Sequence, residues 1–271
     1  KMIVDGQVNI WIGGKPPANR RQGIFTSDDL MAELSKADVS RAILVPVSWN
    51  PDGIESSIAA AKAHPDRLRV FGIYDIAAEP KQSSLEAITK REGVAGVRLF
   101  LNSPQGKEWM TNGSADWFWP IAERLKVPVM IYPTLTNALK QVVERYPDLK
   151  ICIDSLGAQP DKRGLDAFAE HDAILALAKF PNIVIKAGAL PSLSGEAYPF
   201  RNLDSILRRT YDAFGPKRIF WGSDLTSLPP LNVSYGECID SFASLSWLSE
   251  ADLDLIMGRA ICDWIGWPLP A

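Results

Sequence analysis

Short apolar stretches alternate with amphipathic ones along the whole chain. The apolar stretches cover residues 2–10, 41–47, 69–75, 95–101, 127–132, 149–154, 183–187 and 218–224 and are rich in Val and Ile. Most run without a polar break, the pattern of strands covered on both faces in a parallel sheet. Between them, helical spacing recurs at 30–37, 54–63, 80–91, 115–125, 135–146, 166–180, 202–214 and 235–245, and a ninth such stretch at 249–264 closes the chain. Two of these starts carry capping signatures, Thr26-Ser27-Asp28-Asp29 and Ser249-Glu250-Ala251-Asp252.

Eight strand–helix units in 271 residues predict one α/β domain over 1–271, a (β/α)8 TIM barrel with an extra C-terminal helix. An open, doubly wound sheet is the alternative. It calls for a Gly-rich phosphate turn directly after the first strand. The chain offers only Gly13-Gly14, late and outside a GxGxxG pattern.

Charge narrows the function classes. Lys and Arg number 29 against 32 Asp and Glu, a net charge of −3. Such a balance supplies no field for a polyanion, so nucleic acid is not expected as a partner. No apolar run approaches a membrane span, and residues 1–5 lack the apolar core of a secretion signal, so no membrane partner is expected either. Three cysteines, Cys152, Cys238 and Cys262, form no close pair, which fits the cytoplasm. The two histidines, His64 and His171, read as surface or helix-end residues. An imidazole-rich metal centre is therefore not expected.

In a barrel the chemistry sits where strands end. Asp5, Gln7 and Asn9 are spaced by two and share a face, with Trp11 just beyond. Trp49 follows strand two, Arg98 lies in strand four, and Tyr132 ends strand five. Asp154-Ser155 ends strand six, Lys186 strand seven and Gly222-Ser223-Asp224 strand eight. Arg98 and Lys186 are flanked by apolar residues. Each needs a counter-charge, for which Asp154 is available, or a wet site. Trp11 and Trp49 read equally as core or as pocket wall.

The ordered segments 3–11, 96–98, 153–157, 185–186 and 220–224 resemble the amidohydrolase superfamily, in particular the amidohydrolase-2 branch. That branch includes pyrone-dicarboxylate lactonase, sugar lactonases and metal-dependent decarboxylases. The resemblance implies the TIM barrel and a hydrolase. It also exposes departures. The branch often carries Asp/Glu-x-His-x-His on strand one, where Gln7 and Asn9 stand here. Its strand-five and strand-six histidine places hold Tyr132 and Ser155, and only the strand-eight acid, Asp224, remains. Amides and hydroxyls are poor zinc ligands beside imidazole, so neither a metal nor another cofactor is expected.

What the resemblance then implies is a metal-independent hydrolase of a small lactone or other activated carbonyl compound. Asp224 would act as base. Lys186, Tyr132, Asn9 and Ser155 would assist as catalytic groups, and Arg98, Gln7, Trp11, Trp49 and Asp154 would bind a small-molecule substrate, a cyclic or aromatic carboxylate. The loops 49–55, 102–112, 190–198 and 225–235 would set its shape. Two other classes stay open: a lyase or aldolase-like enzyme using a Lys186 Schiff base, or a decarboxylase, and a degenerate barrel that only binds a ligand. A homo-oligomer is compatible with the sequence, which carries no motif that fixes the assembly.

Overall fold

The computed structural model describes residues 1–132 and 135–271. Its eight strands are β1 (Val4–Val8), β2 (Arg41–Leu44), β3 (Leu68–Ile73), β4 (Val94–Phe100), β5 (Val129–Tyr132), β6 (Ile151–Ile153), β7 (Ile183–Gly188) and β8 (Ile219–Gly222). They are parallel and follow chain order from β1 to β8. The helices are α1 (Ser27–Lys36), α2 (Glu55–Ala63), α3 (Lys81–Thr89), α4 (Pro104–Thr111), α5 (Phe118–Arg124), α6 (Thr136–Arg145), α7 (His171–Ala176), α8 (Leu190–Ser194), α9 (Asp204–Phe214), α10 (Tyr235–Ala243), α11 (Glu250–Asp254) and α12 (Ala260–Ile265). This is the expected (β/α)8 barrel, nearly closed, with its additional C-terminal helix. Among the described residues no helix is long and apolar enough to cross a membrane.

Two apolar clusters explain why the apolar runs lack polar breaks. Val4, Ile43, Phe71, Met130, Cys152, Val184 and Phe220 fill the barrel interior. Outward-facing residues such as Val70, Val97, Ile131, Ile153 and Ile185 pack under the helices. The C-terminal segment plugs the N-terminal mouth. Trp264 stacks on Phe71 and leans on Phe220, with ring centroids 5.9 and 5.5 Å apart. Beyond it, Trp267 lies between the guanidinium groups of Arg41 and Arg69, 4.2 and 4.5 Å from its ring centre. The helical stretch expected over 249–264 is continuous through a π-turn at Leu255–Arg259. A side chain at Gly258 would meet the Met2 carbonyl at 2.5 Å, so glycine lets the widened turn lie on the chain start.

Local differences from the sequence reading have identifiable causes. Segment 102–112, expected as a loop, holds α4, because Ser103 caps the Gly106 N–H and Pro104 stands at the first helical position. The helix expected over 166–180 is broken into 3-10 turns flanking α7. His64, at a helix end as expected, caps α2. His171 also lies at a helix end, the start of α7, but it is buried and not on the surface, its ring packed edge-on against Phe168 at 5.6 Å.

Burial pushes the His171 imidazole down to about 4, with Arg209 adding to the effect and Asp172 opposing it. A base depressed in the folded state protonates first in the unfolded chain. Its contribution is complete above pH 6.5 and is lost as the pH falls toward 4, a span worth roughly 3 kcal/mol. Urea unfolding across that window should show wild type losing stability faster than His171→Leu as the pH drops. Parallel pH profiles for the two proteins would show that His171 is not held neutral.

Candidate active site

The floor beneath the strand ends is ionic. Asp154 follows β6 directly, in a turn where Ser155 and Leu156 take left-handed φ values of 48° and 57°. Its carboxylate lies between two cations. Lys186 Nζ on β7 is 2.9 Å from Asp154 Oδ1, and Arg98 Nε on β4 donates to Oδ2 at 2.9 Å. Lys186 also reaches the Gly6 carbonyl at 3.3 Å and Met130 Sδ at 3.4 Å. Burial raises the Asp154 carboxyl, but Arg98 and Lys186 together outweigh it and hold the group below the usual carboxylate range. Both partners weighed for Asp154 from the sequence are therefore present at once.

The seam between β8 and β1 is closed by a side chain. Asp5 accepts from the backbone N–H of Gln7 at 3.0 Å and of Ser223 at 2.8 Å, and from the hydroxyls of Ser223 at 2.5 Å and Tyr235 at 2.6 Å. Burial pushes its carboxyl up, and these hydrogen bonds oppose the rise. The strands come close here because a side chain at Gly6 would strike the Trp221 carbonyl at 2.7 Å. The Asp224 N–H then donates to the Gln7 carbonyl at 3.0 Å. Asp224 itself is left-handed, with φ 57° and ψ 50°, so the strand ends at Gly222 and the carboxylate turns into the barrel mouth.

A cavity of about 340 Å³ opens above this floor. Gln7, Asn9, Trp49, Arg98, Tyr132, Ser155 and Asp224 line it. Three sequence candidates lie outside that lining: Lys186 and Asp154 in the floor, and Trp11, buried edge-on against Trp49 with ring centres 5.3 Å apart. Thr226 donates to the Asn9 side-chain oxygen, which leaves the Asn9 amide N–H groups for the cavity. Burial pushes the Tyr132 phenol up; Asp154 and Asp224 add to the rise, while Ser155 and Arg98 oppose it. Gln7 Oε1 and Trp49 Nε1 are buried without a protein partner among the described residues.

Sequence reasoning missed Arg20, Asn19 and Arg163, which also border the cavity, together with Ser192 and Ser227 from the loops 190–198 and 225–235 expected to shape it. Arg20 matters most. Its Nη1 donates to Asp224 Oδ1 at 2.6 Å, and the two side chains are 22% and 5% exposed. The available signal was the length of the β1–α1 connection, well beyond an ordinary strand–helix loop. A larger groove of about 700 Å³ between α1 and α10 carries none of the strand-end polar groups.

An eight-stranded barrel with a carboxylate, amides, a phenol and guanidinium groups converging at its strand ends has the organisation of a barrel hydrolase. The chain belongs to the amidohydrolase family, whose model matches residues 4–270. It is 24% identical over 228 residues to an L-fucono-1,5-lactonase from Burkholderia ambifaria, covering 83% of this chain and 77% of that one. Among solved structures it superposes on an amidohydrolase from Burkholderia multivorans with bound zinc, with TM-score 0.78, 19% identity and coverage of 99% and 100%. A Pseudomonas putida candidate 2-pyrone-4,6-dicarboxylic acid hydrolase gives TM-score 0.74 at 22% identity, with 99% of both chains covered.

The zinc of that neighbour raises the question of fit. Among the described residues, no three His, Cys, Asp or Glu side chains converge as a metal-holding group. The strand-end donors here are neutral amides and hydroxyls, and the single carboxylate in the lining already holds a guanidinium. This donor set does not fit a tightly held divalent ion.

The floor makes a charge-counting prediction. Asp154→Asn leaves Lys186 and Arg98 facing each other without a counter-charge and should cost about 3–5 kcal/mol. Lys186→Met leaves Asp154 paired with Arg98 and should cost distinctly less. Urea midpoints give the order; equal losses would show that the Arg98 and Lys186 charges do not share one counter-ion.

Proposed function

We propose that the protein is a metal-independent hydrolase of a small lactone carrying a carboxylate, with Asp224 as general base. The observation that carries this reading is the state of the Asp224 carboxylate. Arg20 holds Oδ1, while no protein donor among the described residues meets Oδ2 at the cavity. A water on Oδ2 would transfer a proton to Asp224 as its oxygen bonds to the lactone carbonyl carbon. The carbonyl π pair would move onto oxygen, and the Asn9 amide and Ser155 and Tyr132 hydroxyls are the donors at hand for that charge. Collapse would break the ring C–O bond, and the proton on Asp224 would pass to the leaving alkoxide. Lactone plus water becomes one hydroxy acid.

Arg98 supports the carboxylate on the substrate. Its Nε is anchored on Asp154, and its terminal nitrogens make no protein hydrogen bond among the described residues. A guanidinium pinned at one edge presents the other edge to an anion. The Burkholderia relative's name, a lactonase, supports the cyclic ester; the Pseudomonas neighbour's, a dicarboxylic acid hydrolase, supports the acid. Lys186 is enclosed and bound to Asp154, which supports a positioning role for it over a Schiff base. Three buried, unpaired cysteines support a cytoplasmic setting.

On a panel of five- and six-membered lactones, with and without a carboxylate, Asp224→Asn should lower kcat by ~10²–10⁴ and leave the fold intact. Near-normal turnover in that variant would move the base elsewhere. Purified protein should hold well under one equivalent of zinc or manganese and keep its activity in chelators; stoichiometric metal with chelator-sensitive turnover would overturn the metal-independent reading. Arg98→Lys should raise KM about 10-fold or more, the loss of a charge-assisted hydrogen bond of ~1.5–3 kcal/mol, with little change in Tm. A large fall in Tm with unchanged KM would make Arg98 a structural ion-pair partner alone.

A further inference from the structure

We infer that Arg20 is the electrophilic catalyst of this site, its guanidinium binding the oxygen on which charge develops while it holds Asp224 in place. The inference rests on the lactonase reading and starts from the misfit between the strand-end donors and a divalent ion. A positive charge near the carbonyl oxygen would add to the neutral donors Asn9, Ser155 and Tyr132 in stabilising the charge that develops there. Here the neighbouring cations divide by geometry, Arg163 at the rim donating to the Pro160 and Lys162 carbonyls. Lys186 lies in the floor against Asp154, and Arg98 is anchored there through Nε. Arg20 alone bridges the carboxylate of the base and the cavity.

The loop that carries it is built to fix its position. Residues 12–24 leave and re-enter the barrel through one antiparallel bridge, Trp11 to Phe25, with hydrogen bonds of 2.9 and 3.1 Å. The Arg21 N–H donates to the Thr226 carbonyl at 2.7 Å, which ties the loop to the segment that follows the base. A turn at Pro17 accepts the Arg20 N–H at 3.0 Å, and the Gln22 side chain clamps the same turn by donating to the Pro17 and Arg20 carbonyls at 3.0 and 2.9 Å. Only one nitrogen of Arg20, Nη1, meets the protein among the described residues. The remaining N–H groups are free for a ligand oxygen next to the water that Asp224 would activate. A guanidinium in this position stabilises the oxyanion more than the neutral carbonyl, so its effect falls on kcat.

Chemical rescue tests this. Arg20→Ala should lower kcat by ~10²–10³, the range for loss of one oxyanion donor, with KM changed by less than about 3-fold. Guanidinium chloride at non-denaturing concentration should restore a measurable share of kcat to Arg20→Ala, and urea, its neutral isostere, should not. Arg21→Ala, one residue on, with its side chain over the Phe25 ring at 4.7 Å, should keep wild-type kcat and show no rescue. Arg20→Gln provides a second readout if the alanine variant folds poorly. A raised KM with unchanged kcat would make Arg20 a ground-state binding group and overturn the inference. So would a fall in activity that tracks a fall in Tm and resists guanidinium. Active wild type, inactive Asp224→Asn and undiminished Arg20→Ala would reject Arg20 alone. Wild type that opens no lactone on the panel would reject the lactonase reading and the role of Arg20 with it.

Discussion

The site depends on one buried carboxylate. Among the described residues the regular ladder runs from β1 to β8 without joining its two ends, and at that seam Asp5 bridges β1 to the turn after β8. Four donors from β1, the turn after β8 and α10 converge on it. A carboxylate this enclosed is tolerable only because each donor meets it, and removing it would strand them together. Because Ser223 is one of those donors, the residue after it turns left-handed and delivers Asp224 to the cavity. Barrel closure and the direction of the Asp224 carboxylate are one event.

A second carboxylate organises the opposite side. Asp154 neutralises part of the charge of Lys186 and Arg98, so the floor keeps a net positive charge below the cavity. With Arg20 and Arg163 at the lining, positive groups gather at the mouth even though the chain as a whole is acidic. The two acids differ in what surrounds them. Asp154 is enclosed by cations and is unreachable, whereas Asp224 has one oxygen held and one facing the cavity. That asymmetry separates an acid that positions from one able to take a proton.

The fold was legible because its signal is periodic. Eight runs of Val and Ile separated by helical spacing leave few architectures, and strand ends are short enough that Gln7, Asn9, Tyr132, Ser155 and Asp224 could be placed at the mouth from order alone. The buried charges were half legible. Arg98 and Lys186 demanded a partner, and Asp154 was available, but whether one or both would take it depends on interior geometry that spacing does not encode. Arg20 was not legible. It sits in a Gly- and Pro-rich segment without periodicity, and its meeting with Asp224 spans 204 positions of sequence. His171 stands at the start of α7, within the helix-end reading, but the fold turned its ring onto Phe168, a burial that spacing does not encode.

The bridge between Trp11 and Phe25 makes the β1–α1 connection a cassette. The chain leaves and returns at one point and the residues between those anchors belong to no strand, so exchanges there that keep the Arg21 contact with Thr226 leave the register of every strand in place. Asp224 belongs to the barrel and Arg20 to the cassette, so the two are free to diverge at different rates. Drift within residues 12–24 would alter the cavity rim beside Asp224 long before it changed how the protein folds. A transplant of the segment between barrels of this family would carry its charge with it, which makes the loop a natural unit of evolutionary exchange.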